Sequence, residues 1–366
     1  PKVAFMGRGR VLVTWIHLHP SQRTSRPAAL ARLADMEASP TGNAKPQSVC
    51  SDITGAITGT LCAGLGLVSS AVSTVGDWFG LSPESNTTAQ AGTGVRWQTP
   101  LPVMQDDLYN FRPVLSGNPT SGEAQLVWLR EQEVLPGQQP LALYTASYRD
   151  GAGWSAPERL DPASNAMDIQ PSVRFDRNGV PGVAWLRDND ADLSTTDDRQ
   201  LLFAVRGRAN WSGPEEIVGA SASPWTPSLD FDTQNRPTVA FVSPPLDPSS
   251  GRHVPADGQL STLNVAQRGE RGWFSTPVGD RVRAELPLLR VTAANQATLL
   301  FRSFGSGDAN SALGEIAAAT ANLSAPTPTW AVGRLAHNRR LNWRLAADVD
   351  PETGDPLMLW EVRDGL

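Results

Sequence analysis

From Pro171 the chain reads PSVRFDRNGVPGVAWLRD. Apolar and polar residues alternate through PSVRFD, as in a strand with one face buried and one in water. The residues RNG follow, and Asn and Gly accept the positive φ that a tight hairpin needs. GVAWLR is then a short apolar run, the mark of a strand buried on both faces. LLFAVRG gives a third strand and WSGPEEIV a fourth, with Pro near the strand start, where a lost N–H donor matters least. The pattern predicts four short strands and no long helix in this stretch.

The same pattern recurs. Copies begin at Pro1, Pro113, Pro171, Pro227, Pro287 and Arg344, and from residue 113 onward the starts lie 56 to 60 residues apart. An aromatic follows each start by 14 to 16 residues: Trp15, Trp128, Trp185, Phe241, Phe301 and Trp360. All units but the last close on a second tryptophan: Trp97, Trp154, Trp211, Trp273 and Trp330. Agreement at so many independent positions defines an internal repeat, and a repeated four-stranded antiparallel unit closes radially. The expected fold is therefore all-β, a β-propeller of about six or seven four-stranded blades. It forms a single domain over residues 1–366. The tryptophans are expected to pack between neighbouring blades. Five full units and two further strands fall short of a closed ring. The missing strands would come from sequence outside this chain, from the insertion described next, or from a partner.

The first unit is twice as long as the others. Its excess, residues 20–92, reads as an insertion in the first blade. SRPAALARLADMEA has helix-forming composition, and ITGAITGTLCAGLGLVSSAVSTV runs from Ile53 to Val75 without a charge. Three readings compete: an apolar, partly helical element packed on the ring or on a partner, a segment that contacts membrane, or a disordered stretch. The other units also lengthen between their second and third strands, as in DNDADLSTTDDRQ and SPPLDPSSGRHVPADGQ. Loops on a rigid scaffold carry function, so the face from which these emerge is the expected binding face.

Composition narrows the partners. Net charge is −6 with no basic run, which argues against nucleic acid. Cys50 and Cys62, the two cysteines, both fall in the insertion and are candidates for one disulfide in an oxidising compartment. No signal peptide is visible, and the start at Pro1 reads as a mature or excised piece.

Three patterns carry candidate chemistry. Asp188, Asp190 and Asp192 form a D-x-D-x-D run, with Asp197 and Asp198 close by. That spacing suits calcium, whose ligands are hard oxygens, although the glycine that turns a calcium loop is missing. The alternative is a solvated acidic loop, and no other cofactor is indicated. His17 and His19 alternate at a strand end, either as metal ligands lacking a third partner or as an ordinary polar edge. No nucleophile elbow, zinc-protease helix, P-loop or dinucleotide fingerprint occurs.

The turn SYRDGAGW, Ser147 to Trp154, resembles the Asp-box hairpin S-x-D-x-G-x-x-W of sialidase-type propellers, with Asp150 one residue late. RGRANW and RGERGW are similar turns without the Asp. The repeat from 113 to 366 resembles secreted bacterial propellers of the BNR, sialidase-like kind. That resemblance implies a propeller, an extracytoplasmic location and an affinity for carbohydrate. A sialidase-like site would also need three arginines, a Tyr–Glu pair and a catalytic Asp. Phe111-Arg112-Pro113 is similar to the motif that supplies the first arginine, but it lacks the Ile. Tyr109, Tyr144 and Tyr148, the three tyrosines, stand in no nucleophile context. The sequence thus points to a non-catalytic extracellular binding or assembly module. Its loop face and insertion would meet a protein partner, a second copy, or a glycan. The alternatives are a sialidase-like glycoside hydrolase and a structural subunit of a filament or surface layer.

Overall fold

The computed structural model describes residues 2–6, 11–14, 102–104, 108–118, 120–132, 141–193, 195, 197–245, 249, 253, 261–279, 282–304, 314–325, 327–336, 341–349 and 356–363. The chain divides into two units, Pro1–Gln22 with Val103–Leu366, and Arg23–Pro102. The second lies outside the described residues except for Pro102. The readings of residues 20–92, of Cys50 with Cys62, and of His17 and His19 all fall outside the described residues.

The first unit is a succession of antiparallel sheets. The first holds β1 (Lys2–Phe5) and β2 (Val11–Thr14). The second holds β3 (Asn110–Asn118), β4 (Glu123–Glu131), β5 (Leu141–Arg149), β6 (Gly153–Trp154) and β7 (Glu158–Arg159), with β6 and β7 both paired to β5. The third holds β8 (Met167–Phe175), β9 (Pro181–Asp188), β10 (Gln200–Val205) and β11 (Glu215–Val218). The fourth holds β12 (Trp225–Phe231), β13 (Pro237–Ser243), β14 (Thr262–Gly269) and β15 (Gly272–Pro277). The fifth holds β16 (Ala284–Val291), β17 (Gln296–Ser303), β18 (Glu315–Asn322) and β19 (Ala331–Ala336). The sixth holds β20 (Leu341–Val349) and β21 (Pro356–Arg363).

Within each sheet the strands follow chain order, and the first strands of successive sheets adjoin: β1 with β3, β3 with β8, β8 with β12, β12 with β16, and β16 with β20. This radial stacking of meanders is a β-propeller. Six sheets are present among the described residues. The second strands carry the core. Val127, Leu129, Val183, Trp185, Leu186, Val239, Leu299 and Phe301 are fully buried, because a second strand has a neighbouring sheet on each face. That is why LVWL, GVAWL and TLLF read as continuous apolar runs. Trp154, Trp211 and Trp273 are only half-buried. Trp273 meets Phe203 of the preceding sheet edge-on, with ring centroids 5.7 Å apart.

One expectation needs correction. Pro113, Pro171, Pro227 and Pro287 do not begin the first strands; β8 begins at Met167, ahead of Pro171. Each of these four marks a β-bulge inside a first strand. The register slips between Phe111 and Val114, Ile169 and Ser172, Trp225 and Ser228, and Glu285 and Leu288. At each slip the residue before the proline has positive φ: Arg112, Gln170, Thr226 and Leu286. A bulge leaves an extra residue unpaired, so proline forfeits no ladder hydrogen bond there.

First strands are sheet edges, and their outward N–H groups need acceptors. The preceding sheet supplies them. Ser172 Oγ accepts from Leu229 N–H, and Ser228 Oγ from Leu289 N–H, each at 2.9 Å. Gln170 Oε1 accepts from Thr226 N–H at 2.9 Å. The hairpins after the first strands are coupled in the opposite sense, the following sheet supplying the acceptor. Asp176 and Asp232 each accept two N–H groups of their own turn. Asn235 Oδ1, from a residue at φ +61, accepts from Arg177 N–H of the preceding sheet.

Candidate functional site

Antiparallel pairing fixes two ends for every sheet. Met167, at the start of β8, faces Asp188 at the end of β9, while Phe175 faces Pro181. The hairpin joining first and second strands therefore lies at one end of the ring, and the loop joining second and third strands at the other.

At the hairpin end, the first strands surround a recess of about 300 Å³ lined by Arg174, Asp230, Arg290, Asp348, Asn118 and Arg177, among others. Asp348 pairs with Arg290 at 3.3 Å and with Arg174 at 3.6 Å. Asp230 spends both carboxylate oxygens on backbone, accepting Phe231 N–H at 2.8 Å and Val291 N–H at 2.9 Å. Burial pushes its carboxyl above the usual range, against the pull of Arg174 and those two N–H donors. The recess thus holds three carboxylates: Asp230 committed to the blade junction, Asp348 to an arginine pair, and Asp176 to the N–H groups of its own turn. None is arranged as a general acid facing a nucleophile across a sugar.

At the loop end, three carboxylates converge. Asp188, at the end of β9, is fully buried and pairs with buried Arg199 at 3.0 Å. Burial lifts its carboxyl to about 6, the arginine opposes the rise, and Asp198 and Asp190 add to it. Burial likewise lowers Arg199, against the opposing pull of Asp188. The guanidinium lies 3.9 Å from the ring centre of Trp225, a cation–π contact. Asp198 Oδ2 accepts Asn189 N–H at 2.6 Å and Asp190 N–H at 2.7 Å. Carboxylate oxygens of Asp188, Asp190 and Asp198 all lie within 4.8 Å of one another. Asp192 is not in this group. Its backbone N–H donates to Asp190 Oδ1 at 2.7 Å, so it shapes the turn that presents Asp190. The third carboxylate comes from the returning side of the loop, which the D-x-D-x-D spacing could not express.

Beside this loop, a cleft of about 460 Å³ opens on the fourth sheet. Phe241, Asn264 and Pro277 form one cross-strand row, and Ser243 and Thr262 form the next pair toward the loops. Period-two alternation puts these side chains on one face of the sheet. Val218 and Ser221 face them from the third sheet side, and His253 closes the loop edge. His253 is held at three points: its N–H donates to Asp197 Oδ1 at 2.8 Å, and its ring nitrogens lie 2.9 Å from Pro244 O and 3.0 Å from Ser221 O. No carboxylate lines this cleft among the described residues. Sequence reasoning named this face but not this cleft. Its residues are ordinary strand positions that gain meaning only when three strands lie side by side.

Arg112 and two of the tyrosines lie on the second sheet. Arg112 is the positive-φ residue of the β3 bulge, at the position held by Gln170, Thr226 and Leu286 in other sheets. A positive-φ residue before proline is thus a feature of the repeat, whatever its side chain. Tyr144 lies beside Trp128 and under Arg130, and Tyr148 packs edge-on against Trp154 at 5.3 Å, closing the Asp-box-like hairpin. Among the described residues no helix is long and apolar enough to cross a membrane.

No protein-family model matches the sequence, and no curated protein matches it. Solved structures do. A protein of unknown function from Dyadobacter fermentans is 14% identical, over 67% of this chain and 73% of its own, with a TM-score of 0.45. An endo-arabinase from Bacteroides thetaiotaomicron is 11% identical, over 66% and 84%, with a TM-score of 0.40. A Hadza microbial sialidase is 14% identical, over 69% and 52%, with a TM-score of 0.45. What those enzymes act on is a property of theirs.

Proposed function

We propose that the chain is a non-catalytic binding propeller that takes a neutral glycan in the cleft on its fourth sheet. The observation that carries this reading is the lining. Ser221, Ser243, Thr262 and Asn264 offer hydroxyl and amide groups beside the apolar surfaces of Val218 and Pro277. Sugars present the same mixture of hydroxyl edges and C–H faces, and pockets of this size select by a few placed polar groups on an apolar wall. Hydrolysis would need two carboxylates flanking the glycosidic bond, and the lining contains none among the described residues. A glycan array probed with the full chain, followed by calorimetry on any oligosaccharide retained, tests the reading. Binding without turnover of fluorogenic glycosides is expected. Asn264→Ala removes one polar partner and weakens binding about tenfold, or ~1.4 kcal/mol. Failure to retain any oligosaccharide, or measurable turnover, sinks it.

A second reading, self-association, is favoured by a different observation. β21 is the outermost strand of its sheet among the described residues, and it exposes Leu357 (63%) and Leu359 (62%). An open edge with apolar side chains invites strand pairing with a second copy.

A further inference from the structure

We propose that Asp188, Asp190 and Asp198 form a binding site for a hard divalent cation of the calcium class, at the base of the loop joining β9 to β10. The proposal is independent of the glycan reading. Its first support is geometric. Two oxygens each about 2.4 Å from one ion can be at most about 4.8 Å apart, and the three carboxylates present oxygens inside that limit. The second support is a set of unspent acceptors. The Asp188 side chain is fully buried; its Oδ2 accepts from Arg199 Nε, while its Oδ1 is buried with no hydrogen-bond partner. Asp198 repeats the arrangement: Oδ2 accepts two backbone N–H groups and Oδ1 is buried without a partner. A buried carboxylate oxygen left bare is costly, and a cation between the two removes that cost.

The charge balance agrees. Arg199 is the cation held against this group, and its Nη2 is spent on Leu193 O at 2.9 Å. Asp190, on the exposed side, is fixed by Thr195 Oγ1 at 3.0 Å and Asp192 N–H, so its carboxylate is already oriented. The donors are all carboxylate oxygens, which suits calcium, whereas zinc prefers nitrogen and sulfur. Ligands come from both sides of the loop. Occupancy would therefore tie its two ends together and steady the stretch that reaches His253 through Asp197.

The test uses the full chain, stripped with EDTA and titrated with calcium chloride by calorimetry, with thermal melts in parallel. One ion per chain is expected, with Tm rising by a few degrees at about 1 mM calcium. Asp198→Asn keeps an acceptor for the two N–H groups but removes a charge, and it should weaken binding at least about tenfold. Asp190→Asn should do the same. Asp190 is exposed, so that variant carries the test even where Asp198→Asn fails to fold. Asp192→Asn should bind as the parent does. No heat and no Tm shift up to about 1 mM, or unchanged binding by Asp190→Asn, overturns the proposal.

Discussion

Asp230 shows how one side chain can serve the ring and burden it. Its Oδ2 joins β12 to β16 by accepting Val291 N–H while Oδ1 accepts Phe231 N–H of its own strand, yet burial disfavours the charge that makes both good acceptors. Arg174 lowers that cost, and Asp348 nearby adds to it. The folded carboxyl therefore lies above its unfolded value of 3.8, so the native state holds the proton longer than the unfolded chain. The contribution of this group is fully present below the unfolded value and is lost as pH rises through the folded one. In urea unfolding, the stability advantage of the parent over Asp230→Asn should be largest near the unfolded value and shrink toward neutrality. A difference that stays flat with pH would mean that Asp230 titrates as it does in the unfolded chain. Little of this was legible beforehand. DFD is an ordinary alternating triplet, and only the approach of the neighbouring first strand makes its aspartate a junction. The acidic loop was half legible: spacing picked out Asp188, Asp190 and Asp192 with Asp198 as a neighbour, while Asp198 replaces Asp192 in the group because β9 and β10 lie side by side.

At the scale of the element, the repeated bulge is what converts a set of meanders into a coupled ring. The period of Trp128, Trp185, Phe241 and Phe301 was visible in the sequence because burial on both faces of a second strand enforces it. The meaning of the proline was not visible, since PSVRFD reads equally well as a strand beginning or as the half of a strand that follows a bulge. What separates them is the slip in register, a property of two strands. Ser172 and Ser228 each follow such a proline and each accept the N–H of a leucine in the next sheet. Replacing Ser228 by Ala strands the Leu289 N–H and should cost about 1–2 kcal/mol. The Ser172→Ala change acts at a different junction, so the double variant should lose about the sum of the two. Chemical denaturation of the three variants measures this. A double variant no worse than either single one would show that the serines are not independent staples.

For the molecule as a whole, the question is what meets β21, the outermost strand of its sheet among the described residues. Propellers protect their strand edges by radial repetition. The third, fourth and fifth sheets here reach four strands, while the sixth has two among the described residues. Leu357 and Leu359 lie two apart and so share a face of β21. Both are more than half exposed, and Val362 further along the strand is 41% exposed. Burying the two leucines is worth about 1.5–3 kcal/mol each, enough to shift a weak association measurably. Light scattering on the intact chain should then give a mass that rises with concentration. Leu357→Lys combined with Leu359→Lys should hold the protein at monomer mass, because edge lysines oppose strand pairing. The pair leaves the cleft on the fourth sheet untouched, so glycan binding by this variant should equal the parent's. A monomer in both cases would remove self-association and leave recognition to the loop face. An oligomer that persists in the lysine variant would move the contact off β21 while keeping assembly itself.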